Sequence, residues 1–158
     1  MNYWLWKRKK RRHYKHKIDL TQRQIWDLEF LREKTRAVRE SIRMDYDRIM
    51  EVNLAKKYFR NLIEAFGLER ASELLKQGPE VSQPLLDKQT TKAILNPEEQ
   101  NVLNALNEQI DGFDKDITQY KTQMDSFDGE TGQIAVINTK IEGFQTVMGL
   151  LKQYVAKI

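Results

Sequence analysis

The sequence predicts an all-α protein: an elongated helical bundle with one long N-terminal helix and a C-terminal antiparallel coiled-coil hairpin. Three observations carry that prediction. Residues Gln133 to Ile158 place Ile134, Ile137, Ile141, Phe144, Met148, Leu151, Val155 and Ile158 at alternating three- and four-residue steps, which is one stripe of an α-helix. The preceding stretch does the same with Leu103, Leu106, Ile110, Phe113, Ile117, Tyr120, Met124 and Phe127. From Thr21 to Phe66 there is neither Gly nor Pro, and an apolar three-four spacing persists throughout.

The chain opens with an arm, residues 1–18. Met-Asn-Tyr-Trp-Leu-Trp is followed by Lys-Arg-Lys-Lys-Arg-Arg-His-Tyr-Lys-His-Lys, with neither helical periodicity nor strand alternation. Thr21 with Gln24 matches a capping box, and Leu20 with Ile25 matches a hydrophobic staple, so the first helix is expected to start there.

Residues 19–66 form the long helix. Leu28, Leu31, Val38, Ile42, Ile49, Val52, Phe59, Ile63 and Phe66 keep the stripe, with polar interruptions at Thr35, Asp45 and Lys56. Residues 67–96 are short helices and connector: Gly67 stops the long helix, Leu68 to Gln77 reads as a short helix closed by Gly78-Pro79, and Pro84 to Leu95 reads as another. Asn96-Pro97-Glu98-Glu99 then supplies an N-cap, a proline at the first helical position and acids in the first turn.

That start opens the hairpin, residues 97–158, whose turn is Asp128-Gly129-Glu130-Thr131-Gly132. Its two stripes are mirror-matched about the turn, from Phe127 with Ile134 out to Leu103 with Ile158. Each stripe would be roughly 37 Å long against roughly 69 Å for Thr21 to Phe66, so the hairpin leaves part of the long helix bare. The last helix carries a second apolar row, Val136, Val147, Leu150 and Tyr154, with Gly143 between them. This places it in the middle, between its hairpin partner and residues 46–66. Leu28, Leu31, Val38 and Ile42, with that second row, are the expected surface for self-association or for a partner protein.

Composition removes several functions. The absence of cysteine excludes disulfides, thiolate nucleophiles and Cys-ligated zinc. The only histidines, His13 and His16, lie in the arm, where no framework holds an imidazole against a nucleophile. Phosphate-loop, nucleophile-elbow and zinc-protease signatures are absent, and Asp128-Gly129-Glu130 lacks the spacing of a calcium loop. The expectation is a non-enzymatic protein without metal or cofactor. No apolar run approaches the length of a membrane span, and the cations follow the first apolar residues instead of preceding them. An intracellular or virion location without secretion is therefore expected.

The remaining signal is charge. Residues 1–17 hold eight cations and no acid; residues 18–96 hold 14 basic and 13 acidic residues, and residues 97–158 hold 5 and 10. Lys7, Arg8, Lys9, Lys10, Arg11, Arg12, Lys15 and Lys17 suit phosphate, while Trp4, Trp6 and Tyr14 offer rings for stacking or wedging. The partner expected is nucleic acid, DNA first and RNA second, bound without sequence preference. The role would be that of a self-assembling structural protein in packaging, coating or scaffolding. If all eight cations met duplex phosphates, log K against log salt would fall with a slope of roughly -7. Two alternatives share the residues or the build: a peripheral membrane or secretion-machinery adaptor holding anionic lipid with the same arm, and a helical regulator binding one protein.

Overall fold

A computed structural model describes residues 2–158; Met1, the first residue of the expected arm, lies outside the described residues. Five helices follow one another: α1 (Tyr3–Phe66), α2 (Leu68–Gln77), α3 (Pro79–Lys88), α4 (Pro97–Asp125) and α5 (Gln133–Lys157). No strand occurs among the described residues. The chain is all-α with one long N-terminal helix.

That helix corrects the first expectation. α1 does not begin at Thr21 but runs unbroken from Tyr3, so the basic arm is helical. Thr21 is buried within it, and its hydroxyl donates to the Lys17 carbonyl at 2.8 Å, a mid-helix bond and not a cap. The true cap is Asn2, whose Oδ1 accepts from the Trp4 N–H at 3.1 Å. Lys and Arg are good helix formers, and the arm contains no Gly or Pro to stop the helix.

The chain divides into two compact units, Met1–Ile42 with Thr122–Ile158 and Arg43–Lys121, and α1 contributes to both. In the first unit Ile25 of α1 is buried with Ile137 and Ile141 of α5, flanked by Leu28, Phe144 and Met148. Arg32 donates to Asn138 at 3.0 Å, Arg39 grips Asp128 through two bonds of 2.7 and 3.0 Å, and the Tyr14 ring stacks on Tyr154. Partner numbers fall as α1 numbers rise, so α1 and α5 are antiparallel here.

In the second unit Leu62 and Ile63 of α1 are buried with Ala71 and Leu74 of α2 and with Leu103, Leu106 and Ile110 of α4. Each large aliphatic side chain among them contributes about 1.5–3 kcal/mol. Asn53 donates to Asp114 at 2.8 Å and Lys56 to Gln109 at 2.8 Å.

These packings correct the expected pairing of the two C-terminal stripes. Leu103 has Leu62 and Ile63 among its neighbours and Ile141 has Ile25, in place of the partners that the mirror match assigned. The mirror symmetry that suggested a self-closed hairpin is met by any antiparallel helix with a three-four stripe, and α1 has one. Polar residues interrupt the stripe of α1 that faces its partners. Arg32, Arg39, Asn53 and Lys56 do not break the seam of α1; each has a partner across it. The second row of α5, expected against residues 46–66, is open: Val136, Val147, Leu150 and Tyr154 are all exposed.

The connectors mostly follow expectation. α2 has the expected bounds, and Gly67 supplies the stop at φ 86°, a left-handed conformation that L side chains rarely adopt. Asn96 and Glu99 form a reciprocal cap: Glu99 N–H to Asn96 Oδ1 at 2.8 Å, and Asn96 N–H to Glu99 Oε1 at 3.3 Å. The other Glu99 oxygen accepts the Leu68 N–H at 2.7 Å, satisfying an orphan donor at the start of α2. The helix expected over Pro84 to Leu95 is corrected. α3 starts at Pro79 with Pro84 inside it, and residues after Lys88 are irregular. There the Ala93 N–H bonds Glu64 O and the Gln89 side chain bonds Ala65 O, so the connector is held by α1 instead of by its own helix.

The turn before α5 is tightly built. A Cβ on Gly132 would sit 2.4 Å from the Asp128 carbonyl oxygen and 2.5 Å from that of Phe127, so only glycine fits. The Ile134 N–H meets Phe127 O at 3.4 Å and the Gln133 N–H meets Ser126 O at 3.1 Å.

Candidate nucleic-acid interface

The first unit gathers the cations onto a rigid element. From Asn2, the opening turns of α1 lock rings to charges at helical spacing: Lys7 lies over Tyr3 at 5.1 Å, Arg8 over Trp4 at 5.5 Å and Lys10 over Trp6 at 4.4 Å. Tyr3 and Trp6 stack with centroids 5.8 Å apart. These contacts hold helical a segment whose charge opposes it. α1 has no acid in its first turn, and cations at a helix N-terminus face the positive end of the macrodipole.

α5 does not reach the tip. On the register fixed by Tyr14 with Tyr154 and Arg39 with Asp128, α5 ends level with the residues around Lys10. Tyr3, Trp4 and Leu5 project past that end and stay exposed, at 66%, 63% and 47%. Arg8, Lys9, Lys10, Arg11, Arg12, Lys15 and Lys17 are exposed, while Lys7 is half-buried. No cation between Lys7 and Lys17 has a carboxylate partner among the described residues.

Tyr14 occupies a different place from the one its sequence position suggests. Its ring is half-buried and stacked on Tyr154 at 5.7 Å, with His13 edge-on at 5.6 Å, so it anchors the basic segment to α5. Of the three rings expected to meet a ligand, Trp4 and Trp6 remain accessible.

The pairing of α1 with α5 also adds residues that the arm alone does not reveal. α5 carries Lys152 and Lys157 in its last turns, and between Gly143 and Ile158 it has no acidic side chain. Both lysines are exposed. Antiparallel packing sets residues 149–158 of α5 beside residues 9–18 of α1, with residues 2–8 projecting beyond, so this end of the first unit displays ten cations and no acidic side chain. The signal was present in the sequence as two separate stretches; only the register joins them.

The predicted interface residues separate into two groups. Leu28 and Ile42 are half-buried, Leu28 within this unit's own core, whereas Leu31 and Val38 are exposed, as are Val136, Val147, Leu150 and Tyr154. Among the described residues no cluster of His, Asp and Glu is arranged to hold a metal ion, and no helix is long and apolar enough to cross a membrane. Comparison with protein-family models, curated proteins and solved structures finds no match to this chain.

Proposed function

We propose that the chain is a non-enzymatic architectural protein that binds nucleic acid, without sequence preference, through the basic end of α1 and α5. The observation that carries this reading is the acid-free end itself: ten cations on two helices tied together by Tyr14 and Tyr154, with exposed Trp4 and Trp6 at its tip. An unopposed field of this kind draws in a polyanion, and phosphates relieve the repulsion among the cations and between them and the helix N-terminus. A single helix is also a shape that the major groove admits. The helical conformation revises the expected strength of the salt dependence. Residues 7–12 are successive and point around the whole helix, so one face of a duplex meets about half of the ten cations at once. The slope of log K against log salt is therefore expected near -4 to -5, short of the roughly -7 of a fully engaged arm.

A salt titration of binding to duplex and single-stranded DNA and to RNA tests this. Affinity that barely changes between low and moderate salt would remove the reading. A role in packaging, coating or scaffolding inside a cell or virion follows from sequence-blind phosphate contacts summed along a polymer.

A second reading has its own observation. Tyr3, Trp4 and Leu5 are exposed at a helix tip immediately ahead of the cations, an order that suits insertion at the headgroup level of an anionic membrane. Flotation with vesicles of phosphatidylserine and phosphatidylcholine separates the two, because the lipid reading requires the Trp4 side chain and the nucleic-acid reading requires chiefly charge.

A further inference from the structure

We infer that one face of the first unit is a homotypic interface that seats a second copy of this chain running in the opposite direction. The seam between α1 and α5 uses Ile18, Ile25 and Arg32 with Tyr14, Thr21 and Leu28 on α1, and Ile137, Ile141, Phe144 and Met148 on α5. In an antiparallel pair the positions flanking the seam on one side of the first helix lie on the same side as their equivalents on the second. Leu20, Leu31 and Val38 of α1 and Val136, Val147 and Leu150 of α5 all fall on that side. On the register of Tyr14 with Tyr154, Leu20 is level with Val147 and Leu31 with Val136, so the two rows make one apolar surface. All six are exposed, between 44% and 52%. Scattered exposed apolar residues need no explanation, but six on one side of a two-helix layer do.

Area and charge identify the occupant. Six half-exposed side chains with the stems of their neighbours offer on the order of 600 Å² per copy, so a symmetric pair would bury roughly 1,200 Å², the lower bound of a specific interface. The surface is self-complementary because its bulky residues cluster in two levels with Gly143 between them, where an added Cβ would meet nothing within 4 Å. Such a gap admits the side chain of a facing helix. Two faces of this kind pack symmetrically in only two ways: with the basic ends together or with them apart. Together, ten cations would face ten. Apart, the basic end of each copy lies over the partner's turn end, where the charges are mixed: Asp125, Glu130 and Lys34 stand beside the paired Arg39–Asp128 and Arg36–Glu33. Charge therefore selects the opposed arrangement, with a nucleic-acid-binding tip at each end.

Sedimentation and light scattering of the full chain at tens of micromolar should give the mass of two copies. Leu150→Glu and Val147→Glu should each return the mass of one copy with the far-UV helical signal unchanged. Gln145→Glu, on the other flank, should leave the pair intact. Because the chain has no cysteine, a nitroxide on Gln153→Cys reports direction, and opposed copies place the two labels roughly 30 Å or more apart. A wild-type chain with the mass of one copy overturns the inference, as does a pair insensitive to Leu150→Glu or a short label distance. Phosphate binding by the tip of a single copy is unaffected by any of these outcomes, so the two readings fail separately.

Discussion

The Tyr14 ring lies almost flat on the Tyr154 ring, with centroids 5.7 Å apart and planes tilted by 12°. This pair decides where the basic segment stops being a free tip and becomes part of a two-helix layer. Aromatic pairs of this kind contribute about 0.5–1.5 kcal/mol beyond their buried area. Tyr154→Ala is expected to fray α1 back to the neighbourhood of Ile18, seen as faster amide exchange over residues 3–17 with little change elsewhere. Binding to nucleic acid should weaken severalfold while the salt slope holds, because the cations remain.

Removal of residues 2–12 and removal of residues 2–17 are not equivalent. The shorter deletion takes six cations and leaves Tyr14 on Tyr154; it should nearly abolish binding and leave the midpoint of thermal unfolding within a few degrees. The longer one also strips the end of the α1–α5 seam and should lower that midpoint further. Equal thermal effects would show that Tyr14 adds nothing to the fold.

Lys152 and Lys157 provide the sharpest check on the composite surface. If the end of α5 takes part in binding, replacing both by Ala should make the salt slope shallower by up to about 1.8, at roughly 0.9 for each phosphate that is no longer neutralised. An unchanged slope would confine the site to α1.

Ile141 is 4% exposed and packs with Ile25, whereas Leu150 is 52% exposed. Ile141→Asp should open α5 from α1, because a carboxylate buried among aliphatic side chains has no partner. The milder Ile141→Val should cost about 1 kcal/mol. Leu150→Asp should leave helicity and unfolding midpoint of a single copy unchanged. Circular dichroism on the three variants distinguishes seam from outer face.

Asp114 is expected to add to the acid sensitivity of the second unit. The Lys57 ammonium, 3.1 Å away and hydrogen-bonded, holds its carboxyl below the usual range; partial desolvation opposes this and the Asn53 amide helps. A depressed carboxyl stabilises the fold fully above its unfolded value of about 3.9, and that contribution is lost as pH falls through the folded value. Asp114→Asn should therefore flatten the acid-induced loss of stability below about pH 4, read by urea unfolding at several pH values.

The amino-acid sequence by itself determined the helices and most of their ends. Asn96 to Glu99, Gly67 and the stripe from Ile134 onward are local signals, set by capping geometry, left-handed glycine and helical period, and they need no knowledge of the partner. It also showed the polycation and the absence of cysteine. It misled at Thr21 because a side chain that caps the helix start and one that bonds back to the preceding turn have the same local pattern. Only tertiary structure decided which stripe meets which. Burial of an apolar stripe is non-directional, so residues 103–127 and 134–158 satisfy each other on paper as well as they satisfy α1. The polar pairs Arg39 with Asp128 and Asn53 with Asp114 accompany the pairing with α1, and no period displays them. The same choice brought Lys152 and Lys157 to the basic end and left Leu31 and Val136 on one open face.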